Sequence, residues 1–89
     1  MAARMQIELR FFASVRELLG TGRESLEVPE QVRTVGDLRQ FLRERGSVWA
    51  EALAEQRALR MAVDQTMSDA TTALSDGCEV AFFPPVTGG

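Results

Sequence analysis

The residues best suited to chemistry lie at the end of the chain, which reads Pro84-Pro85-Val86-Thr87-Gly88-Gly89. Consecutive prolines have no N–H to donate and favour an extended polyproline conformation, so this segment is expected to leave the preceding fold as a stiff spacer. Six residues at about 3.3 Å each reach roughly 20 Å. Gly88 and Gly89 carry no Cβ and adopt any φ, which suits delivery of a terminal carboxylate into a channel too tight for a side chain. Two readings stand at this point. One is a carrier tail whose Gly89 carboxylate is activated elsewhere, and the other is an inert, frayed end of the kind common in small domains.

The rest of the chain offers little chemistry of its own. It contains no His, no Tyr and, among its ten cationic residues, only Arg. The usual general bases and the amine nucleophile are therefore missing. The single Cys78 cannot close an internal disulfide, and without His the common metal-ligand sets cannot be assembled, so neither a metal nor a bound cofactor is expected. Ten Arg against thirteen acids give a net charge of −3, which leaves no basic face for a nucleic-acid backbone. The first ten residues are too interrupted by charge for a signal peptide, and no apolar run approaches the roughly 20 residues that span a bilayer. No membrane association and a cytoplasmic location are the expectations.

The elements that must position the tail are legible from periodicity. Eighty-nine residues, 45% hydrophobic and 26% charged, fit one folded domain, expected over 1–83 with the tail over 84–89. Met5 to Phe12 alternates, with Met5, Ile7, Leu9 and Phe11 on one face, as a half-buried strand does. Ser14-Val15-Arg16-Glu17 matches the S-x-x-E capping box and predicts a short helix ended by Gly20. Glu24 to Val28 alternates again and stops at Pro29. Thr34 is the expected N-cap of the main helix, with Asp37 in its first turn and Val35, Leu38, Phe41 and Leu42 along one face; Gly46 fits the C′ position. Val48 to Leu53 predicts another helical turn or two, and Leu59 to Val63 a short strand. Residues 64–73 read as polar and turn-like around Met67, and Ser75-Asp76-Gly77 as a turn. Cys78 to Phe83 is the last strand, with Cys78, Val80 and Phe82 facing one way and Glu79, Ala81 and Phe83 the other. The order β-α-β-α-(α)-β-β is α+β, a mixed sheet with helices on one face.

Three blocks of residues carry a resemblance. They are Phe11-Phe12-Ala13-Ser14-Val15-Arg16-Glu17-Leu18 near the start, Val63-Asp64-Gln65-Thr66-Met67 in the middle with Leu38-Arg39 and Trp49, and Asp76 to Gly89 at the end. In these the chain resembles the ubiquitin-like sulfur carriers, most closely the small-subunit family of molybdopterin synthase. The likeness runs over almost everything beyond the first four residues, and the terminal block is the specific part. Three departures are the Met1–Arg4 lead, Cys78 where an acid or polar residue is usual, and Asp64 where Asn is usual. The resemblance implies a ubiquitin-like β-grasp fold and a non-catalytic sulfur-donor subunit whose active site lies on a large subunit. It implies that an ATP-dependent adenylyltransferase of the ubiquitin-activating type adenylylates Gly89, and that a sulfur donor then displaces AMP to leave a thiocarboxylate. Two large and two small subunits would form a heterotetramer in which the large subunit takes in Pro84, Pro85, Val86, Thr87 and Gly88. The sulfur would pass to cyclic pyranopterin monophosphate to build the molybdopterin dithiolene.

By the same resemblance Phe12, Met67 and Phe83 form the patch that meets these partners. On their residues alone they are either an exposed apolar contact surface or a rim over the core with Met67 filling a gap. Arg10 and Arg16 either support a carboxylate on a partner or are solvated charges. Cys78, sharing parity with Val80 and Phe82, reads as a packed structural thiol rather than a redox or relay group. Competing functions are a carrier for thiamin or another thiolated product, a ubiquitin-like modifier conjugated through Gly89, and an interaction domain with an inert tail.

Overall fold

The computed structural model describes residues 4–85. Val86, Thr87, Gly88 and Gly89 of the expected tail lie outside the described residues. The elements run β1 (Met5–Phe11), α1 (Ala13–Leu19), β2 (Arg23–Val28), α2 (Val35–Arg43), α3 (Val48–Ala52), β3 (Arg60–Val63), β4 (Thr66–Ser68) and β5 (Glu79–Phe83). They build one mixed sheet in the order β2-β1-β5-β3-β4. Only β1 and β5 run parallel, and the other neighbours are antiparallel. This is the arrangement expected of a β-grasp, with β5 in the centre.

Alternation in β1 drives the packing. Ile7, Leu9 and Phe11 point under the sheet, where they meet Val80 and Phe82 of β5 and Val35, Leu38 and Leu42 of α2, all essentially inaccessible to water. Phe11 stacks on Phe82 with centroids 6.1 Å apart and takes the edge of Trp49 at 5.6 Å. Cys78 is only 3% exposed, a core thiol as its parity indicates. Helix α2 starts at a reciprocal capping box: the Asp37 amide donates to Thr34 Oγ1, and the Thr34 amide donates to the Asp37 carboxylate. From the middle of α2, Arg39 reaches across to donate to the carbonyls of Leu53, Ala54 and Arg57, tying down the end of α3. Burial, with Arg43 nearby, pulls this guanidinium below its ordinary pKa.

Several local expectations are corrected. Ser14 does not cap α1: the N-cap is Phe12, with no side-chain cap bond, and its carbonyl accepts from the amides of Val15 and Arg16. The helix starts two residues early: the Phe12 amide still donates to Phe82 O, which fixes the end of the ladder at Phe12, and Ala13 then takes φ +52° to start the helix. Helix α2 ends at Arg43 with Glu44 as its cap, so Gly46, left-handed at φ +76°, lies one position beyond C′. The stretch read as a polar turn contains a strand, β4, hinged on Asp64 and Gln65, whose φ values of +49° and +69° make a two-residue hairpin turn. Among the described residues no helix is long and apolar enough to cross a membrane.

Candidate functional site

The three helices cover one face of the sheet and leave the other bare, and the expected interface residues Phe12, Met67 and Phe83 fall on the bare face. Register sets them in rows. Arg10 pairs with Ala81, Ala81 with Ala62, and Ala62 with Met67, so these four cross the sheet together. In the next row towards the end of β5, Phe83 pairs with Arg60, and Phe12 continues β1 beside it. Phe12 is 42% exposed and Met67 58%, while Phe83 is half-buried.

The structure brings Phe12 and Phe83 into contact, edge to face with centroids 6.4 Å apart. Arg10 lies over the Phe12 ring at 5.5 Å and holds Glu79 at 3.4 Å, so its cation is shared between a ring face and a carboxylate. Met67 is not in this pair. It stands two strands away on β4, about 10 Å across the sheet at the usual strand spacing. Between Met67 and Phe83 the floor is Ala62 and Ala81, both nearly buried. The site is therefore a shallow saddle with an aromatic wall on one side and a flexible thioether on the other. Its shape suits a protein surface rather than a small molecule. Arg16 is exposed on α1, its guanidinium side chain lying against Gly22 beside the start of β2.

Pro84 and Pro85 follow directly from Phe83, half-buried and outside any strand. The tail thus departs from the rim of the saddle, so whatever covers Phe12 and Phe83 is next to its origin. Sequence reasoning missed Ala62 and Ala81 as the floor. Parity with Phe83 was the available signal for Ala81; Ala62 sits in a short run without alternation and gave none. Among the described residues no group of His, Cys, Asp or Glu has a metal-holding arrangement. Surface hollows of about 360 and 300 Å³ flank Gln40 on α2, on the helical side of the sheet.

Comparison with known proteins agrees with this fold. The ThiS family pattern matches residues 9–89. The chain is 48% identical over 83 residues to the molybdopterin synthase sulfur carrier subunit of Escherichia coli, covering 93% of this chain and 99% of that one. It is 34% identical to small archaeal modifier protein 3 of Haloferax volcanii, covering 96% and 100%. Among solved structures, the Haloferax volcanii HVO 2177 protein superposes with a TM-score of 0.76 at 31% identity, over 97% of this chain and 88% of that one. A chain of the complex between subunits 1 and 2 of molybdopterin-converting factor from Helicobacter pylori superposes with a TM-score of 0.64 at 26% identity, over 96% and 100%.

Proposed function

The chain belongs to the ThiS family, and on that premise we propose that it is the sulfur-carrier subunit of a molybdopterin synthase. The observation that carries this reading is the likeness to the Escherichia coli carrier subunit over nearly the full length of both chains. The geometry supports it, because an apolar saddle beside the origin of a Pro-Pro-Val-Thr-Gly-Gly segment is what a delivered tail needs.

In this reading Gly89 is the working end. A carboxylate is a poor electrophile until one oxygen becomes a good leaving group. An adenylyltransferase of the ubiquitin-activating type uses ATP to make the acyl-adenylate, releasing pyrophosphate, and a sulfur donor displaces AMP to leave the thiocarboxylate. The large synthase subunit docks on Phe12, Phe83 and Met67, receives Pro84 to Gly88 in its channel, and supplies the base and phosphate clamp that this chain lacks. Sulfur passes to cyclic pyranopterin monophosphate. The solved relative in complex with a second subunit supports such a partner. Two small and two large subunits would make the assembly.

Intact-mass measurement of the chain isolated from its host tests the proposal. The expected result is a species in which one terminal oxygen is replaced by sulfur, and which transfers that sulfur to substrate with the large subunit. Only unmodified mass under conditions of active cofactor synthesis would overturn it. The likeness to a small archaeal modifier favours a second reading, conjugation of Gly89 to lysines of other proteins. Isopeptide-linked Gly-Gly remnants on cellular proteins, lost when Gly89 is removed, would select it.

A further inference from the structure

The bare face of the sheet is electrically lopsided. Glu8 pairs with Glu79 in register, and Asp64 joins them by accepting the Glu79 amide on its carboxylate, so one row across the face is acidic. The next row towards the tail holds Arg10 and Arg23, directly paired on β1 and β2, and the row after that holds Arg60 beside Phe83. Rows on one face are two residues apart, about 7 Å, so the sign of charge reverses within a single step along the strands. Arg23 and Arg60 are exposed; Arg10 is half-buried and shares its charge with Glu79. The whole chain carries −3, so a cationic end is not the average of its composition.

We infer that Arg10, Arg23 and Arg60 form a cationic collar around the tail-proximal end of the docking face, and that the protein surface covering this face presents carboxylates to it. An apolar saddle alone fixes contact but not direction, since Phe12, Phe83 and Met67 can be covered from either end. A charge reversal along the face fixes which end of the partner lies over the tail's origin. It does so at encounter, before the apolar contact forms, because complementary potentials act out to about a Debye length, roughly 10 Å at 0.1 M salt. The inference deepens the sulfur-carrier reading and rests on it for the identity of the partner, the large subunit of the synthase.

The test is the association rate of the intact chain with the large subunit from the same organism, followed by stopped flow at low and high NaCl. The wild-type rate should fall as salt rises. Arg23→Glu combined with Arg60→Glu should slow association about tenfold or more at low salt, with little change in dissociation. The neutral pair Arg23→Gln with Arg60→Gln should lie between and keeps the test open if the reversed variant folds poorly. A rate indifferent to these charges, or faster after reversal, overturns the collar while leaving the carrier reading intact. Failure of the wild-type chain to bind the large subunit at all overturns both.

Discussion

Phe82 and Phe83 are neighbours of the same type whose side chains do opposite work, because successive residues of a strand point to opposite faces. Phe82 is fully buried against Phe11 in the core, whereas Phe83 is half-buried and takes the edge of Phe12 on the bare face. Truncating Phe82 to Ala should cost about 3–5 kcal/mol of fold stability, a fall in Tm of roughly 12 °C or more for a domain this size. Phe83→Ala should cost about 1 kcal/mol, since an aromatic pair contributes on that order beyond its buried area. Its main effect should appear in binding, where a central aromatic anchor contributes about 2 kcal/mol, or thirtyfold in affinity for the large subunit. Thermal melts and titrations on both variants decide the matter. If Phe83→Ala unfolds the domain while Phe82→Ala stays stable but unbound, the docking face is the wrong one. Arg39 is a contrasting residue: its charge satisfies three carbonyls at the end of α3, so its role is internal, and composition alone gave no sign of it.

Among the elements, α2 carries the clearest electrostatic signature. The Asp37 carboxylate accepts the amides of Arg33 and Thr34, and these bonds hold its pKa below the usual carboxylate range. Asp69 is lowered in the same way by the hydroxyl and amide of Thr71, in the loop whose backbone meets the start of α2. A carboxylate depressed in the folded state contributes stability that is present above its unfolded pKa and lost as pH falls through its folded pKa. Stability should therefore hold from neutral pH to about pH 4 and decline below it. Melting temperatures from pH 7 to pH 2 should show a shallower acid decline in Asp37→Asn than in the wild type. Equal slopes would remove Asp37 from the acid response. The same measurement at pH 7 on Thr34→Ala should show a loss of about 1 kcal/mol, as for other N-caps. This cap was legible because Thr34 and Asp37 stand three apart before an apolar stripe. The pattern at Ser14 looked as good and failed, because tertiary pairing of the Phe12 amide with Phe82 moved the turn. Strand β4 was hidden for a different reason: three residues with one apolar side chain show no period, and the turn before it uses Asp-Gln, without the glycine that usually marks such hairpins.

For the molecule as a whole, strong alternation in β1 and β5 and the apolar stripe of α2 made the core and the fold class readable. The saddle was readable only in its walls: Ala81 shares parity with Phe83, but Ala62 carries no such signal, and neither is placed between Met67 and Phe83 until the register is known. In the proposed reading the folded part holds a docking face next to the place where the tail begins. Among the described residues the buried core runs from Ile7 to Phe82, so the proposed chemistry at Gly89 and the stability of the domain should be separable. On the proposed reading, adding a single residue after Gly89 would remove the carboxylate from the position where it is adenylylated and sulfurated, yet change no residue of the described core. Such an extended chain should melt within about 1 °C of the wild type, as changes away from packed contacts usually do. It should still bind the large subunit through Phe12 and Phe83, but accept no sulfur and support no dithiolene formation. Gly88→Ala should act at the same stage by adding a Cβ within the channel, slowing loading or transfer while the melt is unchanged. Intact mass after incubation with the activating enzyme, ATP and a sulfur donor reads the first outcome, and single-turnover transfer reads the second. Sulfur appearing on an uncleaved extended tail would place the reactive carbon somewhere other than Gly89.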